Sequence, residues 1–144
     1  KSEIYDEDIH SLVTEEFVSG AVDRFKLISL KSITETQKKP FAEIEMSVDG
    51  ELKQAKSEGG GPVDATFKAI ELIAKSNTEL LLYSVNNITS GTDSKGQVTV
   101  RLAKGGRVVN GLGSDTDIVI ASTLAYLNAL NKLVSKSERA HPQV

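Results

Sequence analysis

Two short stretches of this sequence have the residue types and spacing to bind a small anion. In the first, residues 59–61 are three glycines, Pro62 follows, and apolar residues then recur at helical spacing. In the second, residues 111–117, two glycines precede hydroxyl and acidic residues. A chain that leaves a strand, bends on glycine and opens a helix presents backbone N–H groups that suit a carboxylate or phosphate. Either stretch alone is read as a tight turn, and the pair together predicts a small-anion pocket.

The other reactive side chains give little support to catalysis. His10 and His141 have no partner at a fixed spacing, so we expect both at the surface. A metal site would need Asp64, Asp115 and Asp117, but carboxylates at helix starts more often cap the helix or offset its dipole. The glycine stretches also lack the full Walker A and dinucleotide-binding patterns. We therefore expect no catalytic residue, metal or cofactor in this chain.

The composition excludes several classes of protein. The 144 residues are 39% hydrophobic and 26% charged, which is typical of a globular domain. The net charge of −3 argues against nucleic-acid binding, which needs clustered lysine and arginine. No apolar run approaches the about 18 residues of a membrane span. The absence of cysteine excludes disulfides and thiolate metal sites and is consistent with a cytosolic origin. We expect a cytoplasmic protein that binds neither nucleic acid nor membrane.

The elements that must position the two glycine stretches form a repeat. Strands are predicted at 25–34, 41–48 and 51–57, followed by a helix from 62 to about 76. The order recurs with strands at 80–89, 97–103 and 107–112, a loop at 92–96, and a helix to about 137. The sequence therefore predicts an α+β fold of internally duplicated βββα units with pseudo-two-fold symmetry. Its antiparallel sheets would each carry a helix on one face.

The remaining predictions concern two turns, the ends of the chain and the bounds of the two units. Asp49 and Gly50 predict a two-residue hairpin turn of the primed type, and Gly113 is expected to bend the chain into the second helix. Residues 1–24 are predicted to form a short amphipathic helix, and residues 138–144 a frayed tail that ends near Pro142. The two units are expected at 25–77 and 78–137. The first residue is Lys1 and not methionine, so we expect a piece of a longer protein.

Four motifs in register resemble the C-terminal regulatory domain of the α-isopropylmalate synthase family. They are the run at 59–65, the strand at 79–84, the segment at 96–98, and the run at 111–119 with the Ala-Ser pair at 121–122. Their order and spacing match across residues 25–135. Residues 6–13 resemble the end of the linker that joins this domain to a catalytic barrel.

The resemblance implies a homodimeric regulatory domain that binds leucine, the end product, between its two units and inhibits the synthase. It also implies that acetyl-CoA is condensed with α-ketoisovalerate at a divalent metal in the upstream barrel. Nothing in this sequence resembles that barrel. We therefore expect residues 1–24 to be a linker remnant and the chain to have no synthase activity.

The resemblance carries a set of leucine-binding positions onto this sequence. They are Gly60, Val63, Leu80, Tyr83, Asn87, Ser114 and Thr116. In our hypothesis the ligand carboxylate meets N–H groups at 60–61 and near 114–116, which adds Gly61. The ammonium would meet backbone carbonyls or Asp115. The family usually has Asn at the position of Gly60 and a small or apolar residue at that of Asn87.

Three alternatives remain open. Citramalate synthases share this domain and respond to isoleucine, and apolar pockets separate such isomers by only about 1–3 kcal/mol; the run at 62–65 favours the leucine branch. A ligand-independent dimerisation module is the second alternative, and we expect Gly61→Val to separate it from a sensor by blocking the turn and the pocket. The third, a small anion-utilising enzyme, needs an acid/base pair that this sequence lacks.

Overall fold

Three antiparallel strands and a helix occur twice in the chain. The structure is a computed structural model that describes residues 23–90 and 93–140. The first unit comprises β1 (Phe25–Ile33), β2 (Phe41–Val48), β3 (Glu51–Glu58) and α1 (Pro62–Ala74). The second comprises β4 (Glu79–Ser90), β5 (Asp93–Lys104), β6 (Arg107–Asp115) and α2 (Ile118–Ala140). Each unit forms its own antiparallel sheet with the strands in chain order, which confirms the predicted α+β fold of two βββα units.

The two tightest hairpins follow directly from their turn residues. Asp49 and Gly50, between β2 and β3, both have positive φ angles, of 54° and 86°. Gly105 and Gly106 repeat this between β5 and β6, with φ angles of 58° and 83°. Positive φ at both central positions defines the primed turn that matches the twist of paired strands. The primed turn predicted at Asp49 is confirmed.

The second unit differs from the prediction in two places, the connection between β4 and β5 and the end of β6. Residues 93–96, predicted as a loop, belong to β5, where Gly96 lies opposite Asn87 and Asp93 lies opposite Ser90. Their polar side chains suggested a loop, but pairing with β4 satisfies their backbone groups. The predicted bend at Gly113 is wrong, because β6 continues through this glycine to Asp115.

Both glycines of β6 are needed because α2 passes very close to the strand. A Cβ atom on Gly111 would collide with the backbone of Ala125 and Ala129, and one on Gly113 with the backbone of Ala121 and Ala125. These alanines are fully buried. Their spacing of four residues places them on one helix face, while the glycines share one face of β6. The second glycine stretch is therefore a packing surface rather than a turn.

Helix α2 is the element that joins the two units. It packs on β6 and β5 of its own unit and also contacts α1 and β1. The side-chain amide of Asn131 accepts a hydrogen bond from the Phe25 N–H (2.9 Å) and donates one to the Phe25 carbonyl (3.0 Å). Buried residues of both sheets line the resulting shared core: Ala42, Ile44, Met46, Val98, Val100 and Leu102.

Several expectations concern the ends of the chain. The helix predicted within residues 1–24 falls almost entirely outside the described residues, as do His10 and His141. Helix α2 extends to Ala140, beyond the predicted end near residue 137. Neither described helix is long and apolar enough to cross a membrane.

Candidate functional site

The first glycine stretch makes the turn into α1, and only one of its glycines is required by packing. Gly59 is buried and donates its N–H to the Pro40 carbonyl (3.1 Å). A Cβ on Gly59 would lie 2.5 Å from the Ala65 backbone nitrogen and 2.7 Å from Asp64 Oδ2. None of the glycines at 59–61 has a positive φ. The turn therefore uses the small size of Gly59 and not the left-handed conformations open to glycine.

The next two glycines leave open space at the start of α1. A Cβ on Gly60 would meet only Asp64 Oδ2, at 3.8 Å, and one on Gly61 would have no atom within 4 Å. Gly61 is extended, with φ of −162°, and no side chain caps the helix there. The first-turn N–H groups of α1 thus lack the side-chain acceptor that most helix starts provide.

Asp64 folds back over this turn. Its Oδ2 atom accepts the Gly60 N–H at 2.8 Å and lies 3.2 Å from the Lys68 ammonium. The Gly60 N–H bond, and then Lys68, hold the pKa of this carboxyl below its usual value. Asp64 therefore stays ionised near neutral pH. It accepts the Gly60 N–H, one of the donors that the sequence-based hypothesis assigned to the ligand carboxylate. The donors that remain belong to the first turn of α1.

The turn into α2 is built differently and carries two carboxylates. Asp117 caps the helix, with Oδ1 accepting the N–H of Val119 (2.8 Å) and that of Ile120 (3.4 Å). Asp115 Oδ1 accepts the Asp117 N–H at 2.9 Å and lies 3.4 Å from the Thr116 hydroxyl. The carboxylates of the turn itself therefore already accept the backbone N–H groups at the start of α2. The resulting negative charge suits a cation better than an anion.

Tyr83 connects β4 to both helices. Its hydroxyl lies 2.7 Å from Ser122 Oγ on α2, and its ring lies edge-on to the Phe67 ring on α1, with 6.1 Å between centroids. The Phe67 ring in turn lies 4.4 Å from that of Tyr126. This aromatic cluster lies where the two units meet. A ligand that moved Tyr83 would therefore act on α1 and α2 together.

A shallow cavity of about 470 Å³ runs along α1 from Asp64 to Leu72, and Leu80 of β4 is part of its lining. Its lining combines ionised and apolar side chains: Ser57, Asp64, Phe67, Lys68, Glu71, Leu72, Leu80 and Tyr126. Such a mixture suits a small ligand with a charged head and an apolar tail. Leu80 is the one residue of this lining that the sequence-based set contains. Asp64, which was interpreted as a dipole-compensating carboxylate, and Phe67 are among the lining residues that it missed.

The remaining predicted residues lie elsewhere. Val63 is half-buried on α1, Ser114 and Thr116 are exposed, and Asp115 is half-buried. Asp115 and Asn87 lie opposite Gly96 at one end of the second sheet. Leu80 lies seven residues before Asn87 on β4, roughly 20 Å along the strand. The backbone of Asn87 belongs to β4, but its side chain is outside the described part of the structure.

Glu71 forms a polar network that ties the end of α1 to α2. Its Oε2 atom accepts hydrogen bonds from the Tyr126 hydroxyl (2.9 Å) and from Ser76 Oγ (2.6 Å). Burial, and then the negative charge of Glu71, raise the pKa of Tyr126, so this hydroxyl stays protonated and remains a donor. No three His, Asp or Glu side chains in the described ranges lie close enough together to hold a metal ion.

Comparison with known proteins agrees with this architecture. The family model of the LeuA allosteric (dimerisation) domain matches residues 3–134. The whole chain is 62% identical to a 2-isopropylmalate synthase of Thiobacillus denitrificans, and 58% and 57% identical to those of Nitrosospira multiformis and Nitrosococcus oceani. It spans 28% of the length of each of these relatives. Since the family model covers most of the chain, the chain belongs to the LeuA allosteric (dimerisation) domain family.

Proposed function

We propose that this chain is the leucine-binding regulatory domain of a 2-isopropylmalate synthase. In this role it forms a homodimer and transmits feedback inhibition to a catalytic barrel in the same protein. The observation that carries the proposal is the match of residues 3–134 to an allosteric (dimerisation) domain. The chain's 28% share of relatives that are named as synthases supports it. The acetyl-CoA condensation and its divalent metal would belong to the rest of such a protein.

The charges of the two turns suggest how leucine is oriented. The ligand carboxylate would meet the first-turn N–H groups of α1, which no side chain caps and where the helix dipole is positive. The turn into α2 has Asp115 and Asp117, so the ammonium would lie on Asp115. The aliphatic tail would contact apolar residues of both units. The proposed set remains Gly60, Gly61, Val63, Leu80, Tyr83, Asn87, Ser114, Asp115 and Thr116.

Feedback requires that leucine bind two conformations of the whole enzyme unequally, because otherwise no signal is transmitted. Tyr83 supports such coupling, since it contacts Phe67 of α1 and Ser122 of α2. Residues 1–24, proposed as the linker to the barrel, would carry the change onward.

Replacing Asp115 by Asn is expected to weaken leucine binding by about tenfold or more. Asn retains an oxygen that can accept the Asp117 N–H, but it loses the charge, and a hydrogen bond to a charged group contributes about 1.5–3 kcal/mol. Titration calorimetry measures the change. The matched control is Asp117→Asn, which keeps an acceptor for the helix cap and should leave the leucine Kd within about twofold of the original. An unchanged Kd in Asp115→Asn would remove Asp115 from the site.

A thermal-shift comparison of leucine, isoleucine and valine tests the proposed function and its alternatives. A ligand that binds only the folded state raises the melting temperature, so we expect leucine to give the largest rise. A larger rise with isoleucine would favour the regulatory domain of a citramalate synthase. No rise with any of the three would favour a ligand-independent dimerisation module and would reject the sensor.

A further inference from the structure

The connection between the two units is short and has an uncommon backbone conformation. Only residues 75–78 lie between the end of α1 at Ala74 and the start of β4 at Glu79. Lys75 and Asn77 both have positive φ angles, of 47° and 58°. Residues other than glycine rarely adopt this conformation, and it persists where neighbouring contacts hold it. The connection therefore depends on the groups that bind its backbone and side chains.

Glu71, in the last turn of α1, supplies these contacts. Its carbonyl accepts the Lys75 N–H at 2.9 Å. Its Oε1 atom accepts the Ser76 N–H at 3.1 Å, and its Oε2 atom accepts the Ser76 hydroxyl at 2.6 Å. The Ser76 hydroxyl lies in turn 3.1 Å from that of Thr78. One residue thus binds the connection through its backbone and through both oxygens of its side chain.

The same carboxylate also contacts the second unit. The hydroxyl of Tyr126 on α2 donates to Glu71 Oε2 at 2.9 Å. The Tyr126 ring lies 4.4 Å from that of Phe67, which lies edge-on to the Tyr83 ring at 6.1 Å. A continuous row of side-chain contacts therefore runs from the connection, through Glu71 and the aromatic cluster, to Tyr83 on β4.

The choice of acceptor for the Tyr126 hydroxyl is informative. A buried tyrosine hydroxyl needs a hydrogen-bond partner, and any backbone carbonyl within reach would satisfy it. Here the partner is a carboxylate whose two oxygens already hold Ser76. Hydrogen bonds that share one ionised group depend on one another. The orientation of α2 and the conformation of the connection are therefore fixed by one side chain.

We propose that Glu71 is a positioning residue that fixes the second unit on α1 and so holds Tyr83 in place for leucine. The inference rests on the proposed function for the role of Tyr83. Loosening the bond between Glu71 and Tyr126 should then have two effects. The connection should open more often at Ser76, and leucine should bind more weakly, although neither Glu71 nor Tyr126 belongs to the proposed leucine-binding set.

The first effect is measured by amide hydrogen exchange of the ligand-free chain, resolved by NMR. Tyr126→Phe keeps the ring and removes only the hydroxyl, and we expect exchange of the Ser76 N–H to accelerate at least tenfold. The matched control is Thr123→Val on the same helix, because the buried Thr123 hydroxyl donates to the Val119 carbonyl of its own helix. It should leave the Ser76 rate within twofold. An unchanged Ser76 rate in Tyr126→Phe would overturn the proposal.

A second variant separates the shared bond from a general loss of stability. Glu71→Gln keeps one oxygen for the Ser76 N–H but removes the oxygen that accepts the two hydroxyls. Since Glu71→Gln and Tyr126→Phe break the same bond, the double variant should exchange at Ser76 no faster than Glu71→Gln alone. Independent, multiplying effects would contradict the proposal. Where Glu71→Gln fails to fold, the comparison of Tyr126→Phe with Thr123→Val still decides the question.

The second effect is measured by titrating the 144-residue chain with leucine in a calorimeter. We expect Tyr126→Phe to raise the leucine Kd at least fivefold and Thr123→Val to leave it within twofold. An original leucine Kd in Tyr126→Phe would overturn the positioning role, even with faster exchange at Ser76. Absence of leucine binding by the original chain would instead reject the proposed function, while the exchange rates would still decide whether Glu71 holds the two units together.

Discussion

Replacing Gly61 by Val is expected to abolish leucine binding while leaving the chain folded. A Cβ at this position meets no atom within 4 Å, and the extended φ of −162° is open to a β-branched residue. The new side chain would instead stand beside the uncapped N–H groups of α1, where we place the ligand carboxylate. Titration calorimetry should show at least a 100-fold rise in the leucine Kd, with an unchanged melting temperature in the absence of ligand.

This expectation corrects the one drawn from sequence, in which valine was to block the turn itself. The open space around Gly61 shows that the turn accepts a side chain, and that the packing constraint lies at Gly59. Gly60→Asn is a suitable control, since a Cβ there meets only Asp64 Oδ2 at 3.8 Å and Asn is the residue that the family resemblance implies. It should fold and bind leucine. A Gly61→Val variant with the original Kd would place the carboxylate elsewhere.

Replacing Gly113 by Val, unlike the change at Gly61, is expected to destabilise the fold strongly. Valine is favoured in strands, so propensity alone predicts a gain in stability. A Cβ on Gly113 would, however, collide with the backbone of Ala121 and Ala125 on α2. Backbone atoms of a packed helix cannot move aside as a flexible side chain can. The cost should therefore exceed the about 1–3 kcal/mol that is typical of an overpacked core.

Urea denaturation followed by circular dichroism measures this loss in the free energy of unfolding. Gly61→Val is the matched control, because it makes the same chemical change at a glycine with no neighbour within 4 Å. Its unfolding curve should overlay that of the original chain. A Gly113→Val variant as stable as the original chain would contradict the close packing of α2 on β6.

Strand β2 and the hairpin turn that follows it could be predicted because their signals are local. Alternation of apolar and polar residues predicted β2 at residues 41–48, where the structure has it, and Asp49 with Gly50 specified a primed turn. The role of the second glycine pair depended on a distant element. A glycine marks a bend and a close approach equally well, and only the position of α2 over β6 decides between them. The closest approach of α2 to β6 is made by small residues, since Ala121, Ala125 and Ala129 are fully buried.

The candidate site was accessible from sequence only in part, for a similar reason. An aspartate in the first turn of a helix has the same sequence pattern whether it offsets the helix dipole or accepts a neighbouring N–H. The bond between Asp64 and the Gly60 N–H depends on the path of the turn, which the sequence does not specify. Phe67 has the spacing of a core residue, and its contact with Tyr83 joins two units separated in sequence. The nine proposed ligand-binding residues as a set remain a prediction.

Titration of the 144-residue chain with L-leucine in a calorimeter tests the central claim most directly. We predict a saturable heat with one leucine bound per chain and a Kd below the millimolar range, and no heat with D-leucine. The absence of any binding heat at millimolar L-leucine, from a chain shown to be folded by circular dichroism, would contradict the sensor function.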